Sequence, residues 1–473
     1  MVGLGAGSMA NAKISNWENF MYLTESYDVI IVGGGPAGLA IASELSLRFR
    51  VLLLERNLAG ATNRFWFVPP DVLDDKTRPF SYGGVTRFLT KTYSMHGDDL
   101  VWRAKLFGSY PYIRDKEILT HWAGVSRSNG ATILDQCSYH GHTVDESGVA
   151  VASDQGVFRG RLLIDASGYD SPIVRQYGID RSGFYWWSVF GAIGEHPDGM
   201  GQMQVGDYMM WQTFADADPG SLAEGKPVFE YEILDERTSF SLVLYLRQVQ
   251  MTKEEMRDEY YRIIRKEQSA GAFRNLRVTS ERWGWYPSGG LSQQIAEERV
   301  AFAGDAACWT TPCGWGMTFI LDNYRNFAEK IAQCLDNDTL DRESLLGASH
   351  YRLHDKFEIM TDVLATHFLA NASTGQLDRF IRLFKEGVDP ILCEKVFTLT
   401  VDEEELLGMF KVVLKKFSIP ELCRLVPAIG VMNILKMVGY FAGDLLKKAF
   451  VRLFTNQPPQ PDSGFEFDDR DTL

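Results

Sequence analysis

A glycine-rich turn directly after an apolar strand is the feature that most constrains the fold of this chain. Residues 27–32 (YDVIIV) form a continuous β-branched run of the kind that is buried in a parallel sheet. The run leads into residues 33–38 (GGGPAG), and residues 39–47 have the pattern of a helix. A second apolar strand, residues 51–54, ends at Glu55. The order strand, glycine turn, helix, strand and acid predicts a βαβ unit.

The spacing of the glycines in this turn is typical of dinucleotide binding. Gly33 permits the tight turn, Gly35 lets the backbone approach a pyrophosphate, and Gly38 allows the helix to pack closely on the strand. Pro36 and Ala37 open the helix, whose N-terminal amides can bind phosphate oxygens. We therefore predict that all five residues contact a dinucleotide.

The acid at the end of the second strand indicates which adenosine is bound. Glu55 is placed to accept a hydrogen bond from a ribose 2′-hydroxyl, which favours an adenosine without a 2′-phosphate. Arg56 follows it in the sequence and is a further candidate contact.

A second nucleotide-like segment decides between NAD and FAD. Residues 300–307 (VAFAGDAA) read as a strand that ends in Gly-Asp before a helix. Asp305 there suits the ribityl hydroxyls of a flavin, and the helix N-terminus can face the electron-rich pyrimidine edge of its ring. A nicotinamide dehydrogenase rarely needs such a second segment so far along the chain. The combination predicts FAD.

Composition and charge exclude several classes of protein. The chain is 45% hydrophobic and 23% charged, which argues against a disordered chain and against a polytopic membrane protein. Its net charge of -14 argues against nucleic-acid binding through phosphate neutralisation. Neither the six cysteines nor the eight histidines show metal-ligand spacing, so we predict reduced thiols and no metal site.

Targeting and membrane signals are weak in this sequence. The first 26 residues lack the pattern of a signal peptide, and the most apolar C-terminal segment, 426–454, is interrupted by charges. We therefore expect a cytoplasmic protein without a spanning helix. The C-terminal helices either pack as a core or lie in peripheral contact with a membrane surface.

Together, these motifs resemble those of the FAD-dependent superfamily of aromatic hydroxylases, geranylgeranyl reductases, flavin-dependent halogenases and lycopene cyclases. The matching segments, in order, are the glycine turn with Glu55, residues 112–115 (YIRD), residues 165–168 (DASG), and 304–305 (GD) followed by 312–316 (PCGWG). The resemblance implies that Arg114 contacts the FAD phosphates. It also implies that a loop lies against the isoalloxazine, formed by Pro312, Cys313, Gly314, Trp315 and Gly316.

The closest branch looks like the lycopene cyclases. Residues 191–197 (GAIGEHP), 227–231 (PVFEY), 287–290 (PSGG) and 419–422 (IPEL) stand in the order of that branch. Lycopene cyclases carry a Phe-Leu-Glu-Glu-Thr segment, whose carboxylates serve acid–base chemistry, on the strand after the Phe-x-Tyr strand. The same stretch here, residues 241–245, reads SLVLY and lacks both carboxylates. No catalytic acid or base is identified from the sequence.

The resemblance implies an α/β architecture: an FAD-binding Rossmann-like domain of the glutathione reductase type, interleaved with a mixed β-sheet substrate domain and followed by helices. We expect the FAD domain at 27–182 and 291–345, the substrate domain at 183–290 and the C-terminal helical region at 346–455. Residues 1–26 and 456–473 are expected to be flexible ends. Residues 61–110 are aromatic and are predicted to be irregular.

These expectations point to an FAD-dependent oxidoreductase, of the monooxygenase type, that acts on a bulky apolar isoprenoid or aromatic molecule. Reducing equivalents would come from NAD(P)H or from a separate flavin reductase. The alternatives are a non-redox cyclase that uses reduced FAD, a flavin-dependent halogenase, and a flavin-binding sensor without turnover. Candidate residues of the apolar pocket are Trp186, Trp211, Tyr231, Tyr245 and Trp285.

Overall fold

The computed structural model describes residues 22–349 except 63, 65, 94–98, 180, 182–184, 200–203, 213–227, 270–274, 289–294 and 310–315, together with isolated positions between 392 and 435. The predicted C-terminal helical region and both predicted flexible ends lie largely outside these described residues.

The described residues form sixteen strands and six α-helices. In chain order, strands β1 to β16 are Tyr22–Val32, Val51–Leu54, Trp66–Phe67, Ser81–Tyr93, Asp99–Ile113, Thr132–Leu134, Tyr139–Asp145, Gly148–Ser153, Gly156–Asp165, Tyr185–Glu195, Asp207–Gln212, Val228–Ile233, Thr238–Arg247, Arg277–Ser288, Ala296–Glu297 and Val300–Phe302. Helices α1 to α6 are Pro36–Leu45, Asp115–Ser128, Pro172–Gln176, Lys253–Ser269, Gly316–Asn337 and Arg342–Ser349. None of these helices is long and apolar enough to cross a membrane.

The first sheet is built around a parallel ladder in the order β16, β9, β1, β2 and β6. Val29 of β1 pairs with Val51 on one side and with Leu162 of β9 on the other. All three side chains are fully buried, because a parallel sheet is covered on both faces. Helices α1, α2 and α5 pack with this ladder in one hydrophobic core. The predicted βαβ unit is therefore present as β1, α1 and β2.

The second sheet is mostly antiparallel and has the order β14, β10, β13, β12, β11, β4, β5, β3. Helix α4 lies across one face, where Met256, Tyr260 and Ile263 pack against Phe190 and Phe229 of the strands. We call this side the helix-covered face and the opposite side the inner face. Because side chains alternate along a strand, each strand residue belongs to one face or the other.

The prediction that residues 61–110 are irregular is wrong. Strands β4 and β5 pair with each other in antiparallel register over almost their whole length, and β4 also pairs in parallel with β11. The second sheet thus draws strands from both sides of the β6–β9 segment in the sequence. Charged residues interrupt the alternation in this stretch, and β-propensity depends on partner strands that a local pattern does not reveal.

The glycine turn supplies a test of this packing. A Cβ atom on Gly38 would lie 1.9 Å from the carbonyl oxygen of Gly33, whereas a Cβ on Gly124, in the exposed part of α2, would meet nothing within 4 Å. We expect Gly38→Ala to lower the free energy of unfolding by at least about 1–3 kcal/mol, because backbone must move. Gly124→Ala should raise it by up to about 1 kcal/mol through helix propensity. Denaturant unfolding of both variants measures this, and equal effects would contradict the packing.

Candidate cofactor and substrate site

The turn between β1 and α1 is held by backbone contacts from another strand. Gly33 has a φ of 112°, in the region that favours glycine, and a Cβ there would lie 2.2 Å from the carbonyl oxygen of Ala166. Ala166 follows β9, and its amide donates to the Val32 carbonyl oxygen at 2.9 Å. The segments 33–38 and 165–168, matched separately in the sequence, thus lie against each other.

Gly35 differs from the other two glycines of the motif because it faces open space. A Cβ atom added to it would meet nothing within 4 Å, while those on Gly33 and Gly38 would collide with backbone. Gly35 is the N-cap of α1, so unpaired amides of the first helical turn lie beside that space. The helix N-terminus is therefore open beside Gly35, as the approach of a pyrophosphate requires.

Glu55 is fixed beside the same turn. Its carboxylate accepts a hydrogen bond from the Gly34 amide at 2.7 Å and from the Asn57 amide at 2.8 Å. A carboxylate has about four acceptor positions, so both oxygens keep capacity for ribose hydroxyls. Arg56 is exposed next to it.

The second nucleotide segment meets the first one in space. Gly304 has a φ of 62°, and a Cβ on it would lie 2.7 Å from the Cβ of Ala37 at the start of α1. Asp305 follows Gly304 in the sequence. Burial raises the pKa of its carboxyl, and the positive charges of Arg64 and Arg181 oppose this rise. A Cβ on Gly316, the first residue of α5, would lie 3.7 Å from the Asp305 carboxylate. Residues 312–315, predicted to lie against the isoalloxazine, are outside the described residues.

Arg114 and Asp115 begin α2 at the boundary between the two sheets. Asp115 is buried and accepts hydrogen bonds from the Arg64 amide at 2.9 Å and from the Thr62 hydroxyl at 3.2 Å. Burial raises the pKa of Asp115, and the bond from Arg64 opposes that rise. The Arg114 guanidinium lies 5.0 Å from the centre of the Tyr82 ring, which belongs to the second sheet.

The predicted pocket residues whose side chains the structure describes lie in different parts of the molecule. Trp186 contacts Tyr169 edge to face, with ring centres 5.4 Å apart, close to the segment 165–168. Tyr231 and Tyr245 are buried on the helix-covered face, and Trp285 donates its indole N–H to the Met251 carbonyl oxygen at 2.8 Å. The side chain of Trp211 is outside the described residues. Of the four predicted pocket residues whose side chains are described, the structure brings only Trp186 to the cofactor motifs.

The inner face of the second sheet carries the apolar surface instead. Side chains from β10, β13 and β14 pack there in one cluster, formed by Tyr185, Trp187, Val189, Leu242, Leu244, Leu246 and Tyr286. Tyr112 and Tyr208 continue this face on β5 and β11. Phe67 packs against both the core of the first sheet and the Tyr208 cluster, so the inner face adjoins the first sheet.

Two glutamates on the inner face, the partly buried Glu230 and the buried Glu232, were missed in the sequence. Glu230 and Glu232 alternate with Phe229, Tyr231 and Ile233 on β12, and those three residues pack on the helix-covered face. Burial raises the pKa of Glu230 to about 7, and a hydrogen bond from Tyr208 opposes this rise. Burial and the charge of Glu230 raise the pKa of Glu232 well above its usual value. The alternation of acids with apolar residues in 229–233 (FEYEI) was the sequence signal that could have placed both glutamates on one face of a strand.

Comparison with known proteins decides the family. The profile described as lycopene cyclase protein matches residues 28–424. The chain belongs to the lycopene cyclase family. The predicted membership of the wider superfamily is confirmed. None of the curated proteins matches the chain.

Solved structures confirm the predicted fold of this lycopene cyclase family member. A geranylgeranyl bacteriochlorophyll reductase-like protein from Thermoplasma acidophilum superposes with a TM-score of 0.63 at 16% identity, covering 86% of this chain and 100% of its own. The flavin-dependent brominase Bmp2 superposes with a TM-score of 0.57 at 14% identity, covering 79% of this chain and 93% of its own. The halogenase PltM superposes with a TM-score of 0.54 at 14% identity, covering 79% of this chain and 79% of its own. A PltM variant has been solved in complex with FAD.

The acidic residues of the inner face lie on a different strand from the one that the family resemblance implies. Residues 241–245, predicted from the sequence to correspond to the family's Glu-Glu segment, lie on β13, where the inner face carries Leu242 and Leu244. Glu230 lies directly across from Leu242 on the neighbouring strand β12. The inner face therefore retains carboxyl groups, supplied by the adjacent strand.

The helix-covered face yields a test of the placement of Tyr245. Its hydroxyl donates to the carboxylate of Glu259 on α4, and Arg262 also pairs with that carboxylate at 2.6 Å. We expect Tyr245→Phe to lower the free energy of unfolding by about 1–3 kcal/mol, because a buried bond to a charged group is lost.

Tyr261→Phe is the matched control for that variant. It removes a 2.7 Å bond from the same helix to Glu281 at an exposed position, so its effect on the free energy of unfolding should be smaller. Denaturant unfolding compares the two, and a larger loss in Tyr261→Phe would contradict the burial of Tyr245.

Proposed function

We propose that this protein is an FAD-dependent enzyme that acts on a bulky apolar small molecule. The observation that carries the proposal is the open space at Gly35, which adjoins the N-terminus of α1 while the flanking glycines of the motif are closed by backbone. That asymmetry fits a bound dinucleotide pyrophosphate.

The residues around the turn would hold the separate parts of FAD. Gly35 and the first amides of α1 would bind the pyrophosphate, and Glu55 would accept from the adenosine ribose. Arg114 would add positive charge near the phosphates, and Asp305 would accept from the ribityl chain. When bound, FAD supplies either redox chemistry or an electron-rich ring beside the substrate. The apolar inner face would bind the substrate and exclude water.

Three chemistries are compatible with this site. The sequence favours monooxygenase-type oxidation, with electrons from NAD(P)H or from a separate reductase. Family membership and the two inner-face glutamates favour a non-redox isoprenoid cyclase, because protonation of an alkene needs a positioned acid. Halogenation is the third chemistry, represented among proteins of similar fold.

Cofactor binding is tested with Gly35→Val. We expect the purified wild-type protein to be yellow with one FAD per chain, and Gly35→Val to lose FAD while keeping the thermal midpoint of the FAD-free wild type, because a Cβ atom at this position meets no protein atom within 4 Å. Gly124→Val is the matched control and should retain FAD. Retention of FAD by Gly35→Val would overturn the proposed cofactor site.

The chemistry is tested with apolar ligand extracted from the purified protein and identified by mass spectrometry. That compound is then supplied with FAD, NAD(P)H and a flavin reductase while oxygen uptake and product mass are followed. For a monooxygenase we expect one oxygen consumed per product and a product heavier by one oxygen atom. A product of unchanged mass, formed only with reduced FAD, identifies a cyclase. A product that gains halogen only when halide is present identifies a halogenase.

A further inference from the structure

One arginine of the second sheet has a buried N–H group without a partner. Arg282 is half-buried on β14, and its Nη1 atom is buried with no hydrogen-bond partner among the described residues. By contrast, Arg87 of β4 forms an ion pair with Asp207 of β11, and Arg257 of α4 pairs with Glu281. A buried donor that meets no acceptor is costly, so Arg282 marks a place where an acceptor from a ligand would bind.

The alternation of side chains along β14 places Arg282 on the inner face. Its two neighbours in the strand, Glu281 and Trp283, contact side chains of α4, so they belong to the helix-covered face. Arg282 therefore shares the inner face with Tyr286, a member of the apolar cluster. A cation thus lies at the edge of a surface that is otherwise apolar or tyrosine-lined in this part of the sheet.

The surface beside Arg282 is open and apolar. Gly284 is the next inner-face residue of β14, and a Cβ atom on it would meet nothing within 4 Å. Across on β10, Gly284 pairs with Val189, and Arg282 pairs with Gly191, which in turn pairs with Leu242 of β13. Val189 and Leu242 both belong to the apolar cluster. A ligand that reaches Arg282 can therefore lay an apolar body on the inner face.

The inner face curves around this point. Burial raises the pKa of Tyr82 on β4, and the positive charges of Arg114 and Arg282 oppose this rise. Four strands lie between β4 and β14 in the order of the sheet, so a flat sheet would hold the two strands about 24 Å apart. An electrostatic contact between Tyr82 and Arg282 therefore requires a curved sheet, whose concave side is the inner face.

Asp115, at the boundary between the two sheets, does not satisfy this arginine. Burial lowers the pKa of Arg282, and the negative charge of Asp115 opposes that effect. The hydrogen bonds that Asp115 accepts come instead from the Arg64 amide at 2.9 Å and the Thr62 hydroxyl at 3.2 Å. Arg282 therefore keeps a buried donor for another acceptor, and a negatively charged acceptor would also compensate the burial of the cation.

We propose that Arg282 binds a carboxylate of the substrate, so that the substrate is a bulky apolar acid whose apolar body lies on the inner face. The assignment rests on the proposed function and deepens it, because it names the class of substrate. Arg282 acts here as a binding and orienting residue.

The chemistry of the site favours a carboxylate over other head groups. A carboxylate presents two oxygens in one plane, which match two parallel N–H groups of a guanidinium. It brings one negative charge, whereas a phosphate monoester brings up to two, and the second charge would be repelled by Asp115 in surroundings of low polarity. A neutral hydrocarbon would leave the buried N–H of Arg282 without an acceptor.

The assignment also fixes the direction of the substrate on the inner face. Arg282 lies towards the boundary between the sheets, as its electrostatic contacts with Asp115 and Tyr82 indicate. Tyr286, further along β14, stacks on Trp187 with ring centres 6.2 Å apart. The carboxylate would therefore lie at the boundary, and the apolar body would extend from there towards the pair of rings.

The head group is tested with matched ten-carbon probes and the full chain with FAD bound. Decanoate carries the carboxylate, decanol is its neutral counterpart, and decyl phosphate carries the alternative anion. Isothermal titration calorimetry measures the affinity for each. We expect the wild type to bind decanoate at least about tenfold more tightly than decanol, and more tightly than decyl phosphate, because a buried hydrogen bond to a charged group is strong. No preference for decanoate over decanol, or tighter binding of decyl phosphate, overturns the proposal.

The residue is tested with Arg282→Met, which removes the charge and keeps an apolar stem. We expect it to lose at least about tenfold in affinity for decanoate, while its affinity for decanol stays within about twofold. Arg282→Lys keeps the charge without the planar fork and should lose several-fold for decanoate only. Arg257→Met, on the helix-covered face, is the matched control and should bind both probes like the wild type. Equal loss for both probes, or unchanged affinity for decanoate, overturns the assignment.

Thermal midpoints and the visible spectrum of bound FAD, read on the same samples, separate this assignment from the proposed function. If Arg282→Met does not fold, the comparison is made with Arg282→Lys, whose unchanged affinity for decanoate would overturn the assignment. A wild type that holds FAD but does not prefer decanoate contradicts only the role of Arg282. A wild type that prefers decanoate but holds no FAD contradicts only the proposed function.

Discussion

Close backbone contact at the N-terminus of α1 is the constraint on which the rest of the structure depends. The turn after β1 approaches the carbonyl of Ala166 so closely that only glycine fits at position 33, and Gly304 lies equally close to the side chain of Ala37 at the start of α1. These contacts join the ends of β1, β9 and β16, three strands that are distant in the sequence. The cofactor motifs therefore meet because the parallel ladder brings the carboxyl ends of its strands to one edge.

The second sheet depends on this arrangement for its position. Phe67 packs with both cores, and Arg114 at the start of α2 lies over Tyr82 of β4. The inner face consequently adjoins the first sheet, while α4 covers the other face. An apolar molecule bound on the inner face would share its surroundings with Glu230 and Glu232, so cofactor, substrate and acid can be brought together by one sheet-to-sheet junction.

The lycopene cyclase family provides the context for that acid pair. In this chain, the strand predicted from the sequence to match the family's acidic segment carries leucines on the inner face, and two carboxyl groups stand on the neighbouring strand β12. Adjacent strands of a sheet lie about 4.8 Å apart, so a carboxyl can move to the next strand and still address the same space. Chemistry on a sheet face is thus set by the position of a side chain in space, which an alignment of one strand does not capture.

Local pattern determined the elements whose signal lies within a few residues. The apolar run 27–32, the glycine spacing and Glu55 predicted the βαβ unit because parallel-strand burial and a phosphate-binding turn each impose a short, rigid pattern. The Gly-Asp segment at 304–305 was found for the same reason. The predictions for 61–110, Tyr231 and Tyr245 depended instead on which strands pair and which face a helix covers. Only the tertiary structure decided those points, because the face of a strand residue is set by partners far away in the chain, such as β11 for β4 and α4 for β12 and β13.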